Sequence, residues 1–414
     1  MIKRNLFENL KKHLSQKEIS FIIGPRQAGK TTLMLMLRNY LESKKQKTLF
    51  LNLDIEADKQ FFTSQQQLIR KVQLEIGKNK GFVFIDEIQR KENAGLFLKG
   101  LYDLNLPYKF IVSGSGSVEL KEKIHESLVG RKRIFELPTL TFEEFVNFKT
   151  NYRYENKLVD FFEVEKGEEL LVEYLNFGGY PRAVLEDKLL EKQKILNEIY
   201  QSYLERDITL LLNIKKTEAF TNLLKIMAGQ IGNLINFSEL SSTLGISVKT
   251  VKEYLWYMEK TFILQKLTPY YKNLRKEITK SPIIYFSDLG LRNHSLGHLG
   301  NIKIENTDFL FQNFIYNLLK EQIKTTASKI HFWRTKDGAE IDFIISKGKE
   351  IIPVEVKSKK LSEVKISRSL KSFIKKYQPR KIFLINLQLT KIINFQRTKI
   401  ISLPYYKLIK KVPL

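Results

Sequence analysis

A chain of 414 residues, 43% of them apolar, is too long for one typical hydrophobic core, and roughly two to four domains are expected. The absence of cysteine excludes disulfides, thiolate metal sites and a cysteine nucleophile. A net charge of +25 suits a polyanionic partner, although lysine outnumbers arginine more than threefold and lysine enrichment also has compositional origins. No apolar run approaches the ~20 residues that span a bilayer, and the opening MIKRNLFENLKKHL is amphipathic without a signal-peptide core. A soluble, cytoplasmic protein with no membrane partner is expected.

The first stretch with chemical content is FIIGPRQAGKTTLMLML, Phe21 to Leu37. An apolar strand stops at Gly24, a loop follows, and helix formers resume, so the segment fits G-x-x-x-x-G-K-[ST] with both flanks in place. Glycines let the backbone turn its N–H groups inward on a polyphosphate, while the following helix presents its positive end to the same anion. Gly24, Pro25, Arg26, Gln27, Ala28, Gly29, Lys30, Thr31 and Thr32 are the expected binding loop. Lys30 is expected to reach the β- and γ-phosphates, and the Thr31 hydroxyl to ligate Mg²⁺. Met34 and Met36 are expected to fill gaps in the core.

KTLFLNLD, GFVFIDE and YKFIVSGS are apolar, β-prone runs separated by helical patterns at Thr63 to Leu74 and Ala94 to Leu104. Such alternation predicts a parallel sheet covered on both faces, with its ligand at the carboxyl ends of the strands. Phe82 to Glu87 reads FVFIDE: Asp86 is the expected Mg²⁺ partner and Glu87 the expected base for water. Of the hydroxyls in Ser113-Gly114-Ser115, Ser115 is the preferred γ-phosphate sensor, with turn chemistry as the competing role.

Strand signals fade from Phe142 to Leu212, where FGGYPRAVL and YLERDITLLL predict a helical subdomain. From Phe237 to Leu267 a short helix capped by Ser238 ends near Gly245, and Ser247 caps a second. This is helix-turn-helix patterning, followed by β-prone stretches that suit a wing. Lys249, Lys252 and Lys260 offer phosphate contacts from the second helix, while Val251, Leu255 and Met258 face the core. Without arginine, asparagine or glutamine there, only nonspecific DNA binding is supported, and a protein-contact role competes with it. His294 and His298 are expected as loop or surface residues, because Gly290, Gly297 and Gly300 surround them and disfavour a regular helix.

From about Asp308, the helix FLFQNFIYNLLKEQI leads into two apolar strands around Lys347-Gly348-Lys349, a hairpin signal. Asp342 lies on one strand, and Glu355 and Lys357 share a face of the next. Two carboxylates on adjacent strands suit a hard divalent ion, and the lysine suits a phosphate or a water.

GPRQAGKTT, FVFIDEIQR, IVSGSGS and GRKRIFELPTLTFEEF, in this order, resemble the AAA+-related P-loop ATPases of archaea and bacteria that carry an uncharacterised C-terminal domain. The likeness continues through FGGYPRAVL, YLERDI, IIYFSDLGLRN and EIDFIISKGKEIIPVEVK, nearly the whole chain. It implies an αβα sandwich over 1–141, a helical subdomain over 142–215, a winged-helix domain over 216–300 and a restriction-endonuclease-like α/β domain over 301–414. It also implies ATP hydrolysis with Mg²⁺ and a γ-phosphate arginine at Arg131, acting in cis or across a subunit interface, where a surface ion pair is the competing role. D…E-x-K resembles the nuclease motif of that fold, but relatives often place a glutamate where this sequence has Gln312.

Three readings follow. The first is an ATP-driven switch or motor that engages DNA or a protein client. The second is an ATP-regulated, metal-dependent nuclease. The third is a non-catalytic scaffold that binds nucleotide and sets a homo-oligomeric state. A metabolite kinase fits less well, since the adjacent Asp-Glu suits water activation and no acceptor-binding signature stands out.

Overall fold

Helix α1 (Leu6–His13) precedes β1 (Ile19–Gly24), and α2 (Lys30–Ser43) follows the glycine loop. Then come β2 (Thr48–Asn52), α3 (Glu56–Lys59), α4 (Gln65–Ile76), β3 (Gly81–Asp86), α5 (Ala94–Asp103), β4 (Tyr108–Ser115) and β5 (Lys132–Glu136). The strands form one parallel sheet in the order β2-β3-β4-β1-β5. Successive side chains leave a strand on opposite faces. Ile22 therefore joins Leu6, Leu10, Leu33 and Leu37 in one core, while Phe21 and Ile23 join Leu68, Val72, Phe97 and Leu98 in the other. Covering both faces is why these strands read as unbroken apolar runs. This is the open α/β sheet expected from the sequence, and its carboxyl edge gathers Gly24, Asp86 and Ser115. The computed structural model describes residues 2–116, 128–165, 167–205, 208, 216–271, 273, 275, 277, 280–304 and 307–409.

The next elements are α6 (Phe142–Lys149), α7 (Leu158–Val164), α8 (Glu168–Phe177), α9 (Pro181–Leu185), α10 (Leu189–Ser202) and α11 (Thr217–Gly229). Ser117 of IVSGSGS and Arg206 and Asp207 of YLERDI lie outside the described residues. The helix-turn-helix pair is α12 (Phe237–Leu244) and α13 (Val248–Lys260), followed by β6 (Leu264–Leu267) paired antiparallel with β7 (Ile283–Phe286). Asn236, not Ser238, caps α12, accepting from Glu239 N at 3.3 Å. Ser247 caps α13 as expected, accepting from Thr250 N at 3.1 Å. The loop expected at His294 is instead α14 (Leu289–Ser295): Asp288 caps it, and Gly290 is tolerated inside because Phe177 leaves no room for a side chain. His294 packs edge-on against Tyr200, and His298 is exposed.

The final section comprises α15 (Asp308–Ile323), β8 (Lys329–Arg334), β9 (Glu340–Lys347), β10 (Glu350–Val356), α16 (Arg368–Tyr377), β11 (Lys381–Asn386), β12 (Lys391–Phe395) and β13 (Thr398–Pro404). The six strands are ordered β12-β13-β11-β10-β9-β8. One face shares a core with α15 and, through Phe142, Tyr174, Leu224 and Met258, with the helices that precede it. The other face is closed by α16 through Leu370, Phe373 and Ile374.

Candidate functional site

At Gly24, an added Cβ would meet the Leu137 carbonyl oxygen at 2.0 Å, so only glycine lets the chain leaving β5 pass over the loop. Gly29 adopts φ 93, a left-handed conformation that glycine takes without penalty, and it opens α2. Lys30 is buried, and its Nζ donates to the carbonyls of Gly24 at 3.1 Å and Pro25 at 2.8 Å. Thr31 Oγ1 donates to Asp86 Oδ2 at 2.6 Å. An ammonium resting on backbone carbonyls beside a hydroxyl–carboxylate pair is a donor set that fits a magnesium–nucleotide.

Asp86 is fully buried, and its other oxygen accepts from the Ser113 hydroxyl and from Glu87 N at 3.1 Å. Glu87 follows in left-handed backbone at φ 55, uncommon for a non-glycine residue, and lines the same cavity as the loop. Burial raises the Glu87 pKa, and the charges of Asp86 and Asp54 add to this against Lys30 and Arg26. Gln89 donates to Glu87 through its amide nitrogen and accepts from Ser115 N at 3.2 Å. Of the two serines, Ser113 is therefore the one bonded to Asp86. Ser115 pairs in register with Gly24, and its buried Oγ has no hydrogen-bond partner among the described residues.

A cavity of about 500 Å³ surrounds Gly29, Lys30, Thr31 and Glu87. Arg4, Pro181 and Arg182, which have no role read from the sequence, are among the residues that line it. Arg4 is buried and donates to the carbonyls of Ala28 and Pro138, each at 2.7 Å, and to Glu144 Oε2 at 3.1 Å. Arg182 donates to Gln27 Oε1 at 3.0 Å and to Glu198 Oε2 at 2.9 Å, with Pro181 beside it. Met36, expected in the core, is half-buried and lines the cavity, whereas Met34 is buried as expected.

Arg131 is not brought to this cavity. Its carbonyl accepts from Ile19 N at the start of β1, so it sits at the amino edge of the sheet, opposite the loop. Its Nε donates to Asp103 at 2.7 Å, and the guanidinium lies over Tyr102. A cis role on this chain's own phosphates is thereby corrected to the surface ion pair.

In the C-terminal section, Asp342, Glu355 and Lys357 do come together. Asp342 Oδ2 accepts from Val356 N at 2.7 Å, and Oδ1 accepts from the Gln312 amide, whose own oxygen accepts from Tyr285 at 2.8 Å. Lys357 Nζ donates to Glu355 Oε1 at 3.0 Å, while Glu355 Oε2 is buried without a partner among the described residues. Burial, then Glu355, pushes Asp342 up to about 8, and burial raises Glu355 as well. Among the described residues no group of three or more His, Cys, Asp or Glu is gathered as for a metal ion. On α13, Lys249 and Lys252 are exposed and Lys260 is half-buried, with Val251, Leu255 and Met258 inside.

Residues 16–146 match the family model described as "AAA domain". Residues 168–301 and 307–406 match models described as "Domain of unknown function (DUF8612)" and "Domain of unknown function (DUF4143)". The first module thus has an AAA-related P-loop fold, which points to nucleotide binding. An uncharacterized protein of Haemophilus influenzae is 28% identical over 82% of this chain and 82% of its own length. One from Methanocaldococcus jannaschii is 27% identical over 91% of this chain and 82% of its own. Among solved structures, AMPPCP-bound DnaA from Aquifex aeolicus is 15% identical with a TM-score of 0.26, covering 63% of this chain and 89% of that one. Pif1 helicase from Candida albicans, at 16% identity and the same TM-score of 0.26, covers 39% and 47%.

Proposed function

We propose that the chain is a Mg²⁺-dependent ATPase whose nucleotide state controls how its C-terminal modules engage a partner. The observation that carries this reading is the Thr31 hydroxyl 2.6 Å from Asp86, with Glu87 next in sequence facing the same cavity. Thr31 and Asp86 would hold Mg²⁺, which neutralises charge between the β- and γ-phosphates when bound. Lys30 exchanges its backbone carbonyls for phosphate oxygens. Glu87 accepts the proton of the attacking water, and Gln89, bonded to Glu87, keeps that carboxylate oriented. Arg182, swinging from Gln27, donates to terminal phosphate oxygens in the place first expected of Arg131.

Lys30→Ala is expected to weaken ATP binding by at least about tenfold in calorimetry. Glu87→Gln is expected to retain binding while phosphate release falls roughly 10²–10⁴-fold. Turnover equal to wild type in Glu87→Gln would remove it as the base.

A second reading, a metal-dependent nuclease, is favoured by one observation, the buried and unpartnered Glu355 Oε2 beside Lys357. Against it, both Asp342 oxygens are occupied, one of them by Gln312 where a carboxylate would add charge to a cation. Plasmid incubated with Mg²⁺ or Mn²⁺ is expected to be nicked no faster by wild type than by Asp342→Ala. Nicking that disappears in Asp342→Ala would establish the nuclease.

A further inference from the structure

From Val364 to Leu414 the sequence contains thirteen lysines and arginines and no aspartate or glutamate, so this last eighth of the chain carries about half of the net charge of +25. A general enrichment in lysine would raise the cation count everywhere. It would not empty one region of acids.

The fold aims much of this charge outward. Helix α16 seats Leu370, Phe373 and Ile374 on the sheet, on the face away from α15 and the ATPase module. At 3.6 residues per turn the opposite side of the helix is then Arg368, Lys371, Ser372, Lys375 and Lys376, all exposed. Arg368, Lys371 and Lys375 have no ion-pair partner among the described residues, and Lys376 rests on the Tyr377 ring. Arg380 continues the row beyond the helix, and Lys391 stands exposed on the edge strand β12. Glu340, whose N–H donates to Ser369 Oγ, pairs with Arg334, and Glu363, which precedes the helix, pairs with Lys365.

We infer that the outer face of α16 is a docking surface for the phosphate backbone of duplex nucleic acid. The four helical cations span about 12 Å, close to the ~12 Å width of the B-DNA major groove. The face has no apolar residue, so it lacks what an amphipathic helix needs to enter a membrane surface. Three of the four cations are lysines, which position a duplex without reading its bases. The helix-turn-helix is the weaker candidate, because Glu253 and Glu259 lie among the lysines of α13. The inference rests on the reading that the C-terminal modules engage the partner, and it does not depend on hydrolysis.

The test is fluorescence anisotropy of a labelled random-sequence duplex with the full chain over a salt series. Four phosphate contacts give a slope of log affinity against log salt of about −3.6, or on the order of 10²-fold weaker binding for a fourfold rise in salt. The variant R368Q/K371Q/K375Q/K376Q is expected to lose most of that slope and at least about tenfold in affinity at low salt. K249Q/K252Q is expected to keep both. Circular dichroism melting confirms that each variant folds. Wild-type affinity and slope in the α16 variant overturn the inference, as does an equal loss in the α13 variant. Displacement of the duplex by polyglutamate at equal charge also overturns it, in favour of an acidic protein. Phosphate release by the same α16 variant should match wild type without DNA, so failure of the ATPase reading is seen separately, in Lys30→Ala and Glu87→Gln.

Discussion

Glu87 carries two consequences of one burial. Its carboxyl titrates above the ordinary carboxylate range because the ionised form is poorly solvated, with Asp86 and Asp54 adding repulsion. As a base it acts only when ionised, so turnover is expected to rise with pH through that elevated value, and the acid limb should vanish in Glu87→Gln, measured as kcat against pH. The sign for stability is opposite. A carboxyl whose folded pKa exceeds its unfolded one costs stability once pH rises above the unfolded value, fully so above the folded one. Glu87→Gln is therefore expected to raise Tm at neutral pH and to leave it unchanged below the ordinary carboxylate range; equal Tm at both would show that the group is not desolvated. That Lys30, Thr31, Asp86 and Glu87 come together was legible in the sequence, because the motif sets their spacing on one loop and the adjoining strand end. Arg4 and Arg182 were not, since they reach the loop from distant segments and carry no periodic signal. Arg131 does not reach the loop of its own chain, for a topological reason. It precedes a strand parallel to β1, so it belongs to the amino edge, although it follows β4 in sequence.

Elements were readable where local chemistry specifies them. The three inner strands of the first sheet, β1, β3 and β4, are covered on both faces, and their apolar runs say so. Ser247 and Gly245 mark the turn between α12 and α13, but Asn236 and Ser238 are both good caps, and only the chain's entry direction selects Asn236. Gly290 misled the reading of α14, because a glycine that admits a close neighbour looks in sequence like one that breaks a helix. The same limit applies to β9. Ile341 faces the α16 core and Phe343, two residues on, faces the α15 core, so the strand is not regular there; the register with β8 shifts opposite this point. The irregularity is what turns Asp342 toward Gln312 and the amide of Val356. Alternation alone has no way to announce it.

Across the molecule, the glycine loop is tied to the later modules by a short series of contacts. Arg4 joins Ala28 of the loop to Pro138; two residues on, Leu140 N donates to Gly179 O at 2.7 Å; Gly179 N donates to Asp288 Oδ2 at 2.8 Å; and Asp288 caps α14. The crossing is tight. A Cβ on Gly179 would meet the Leu140 carbonyl oxygen at 2.2 Å, and one on Gly178 would meet Asp288 at 2.2 Å, which is why FGGYPR needs its two glycines. Gly179→Ala must separate these segments, at an expected cost of roughly 2–4 kcal/mol. In wild type, a non-hydrolysable ATP analogue with Mg²⁺ should move one calorimetric transition upward as a whole, because ligand bound to the native loop stabilises everything that unfolds with it. In Gly179→Ala the transition should split, and only the portion belonging to the parallel sheet should respond to nucleotide. Gly229→Ala is the control, a helical glycine with nothing within 4 Å of an added Cβ, and should leave one responsive transition. If Gly179→Ala also melts in one step that shifts fully with nucleotide, the Leu140–Gly179–Asp288 contact packs the modules together without transmitting the state of the loop.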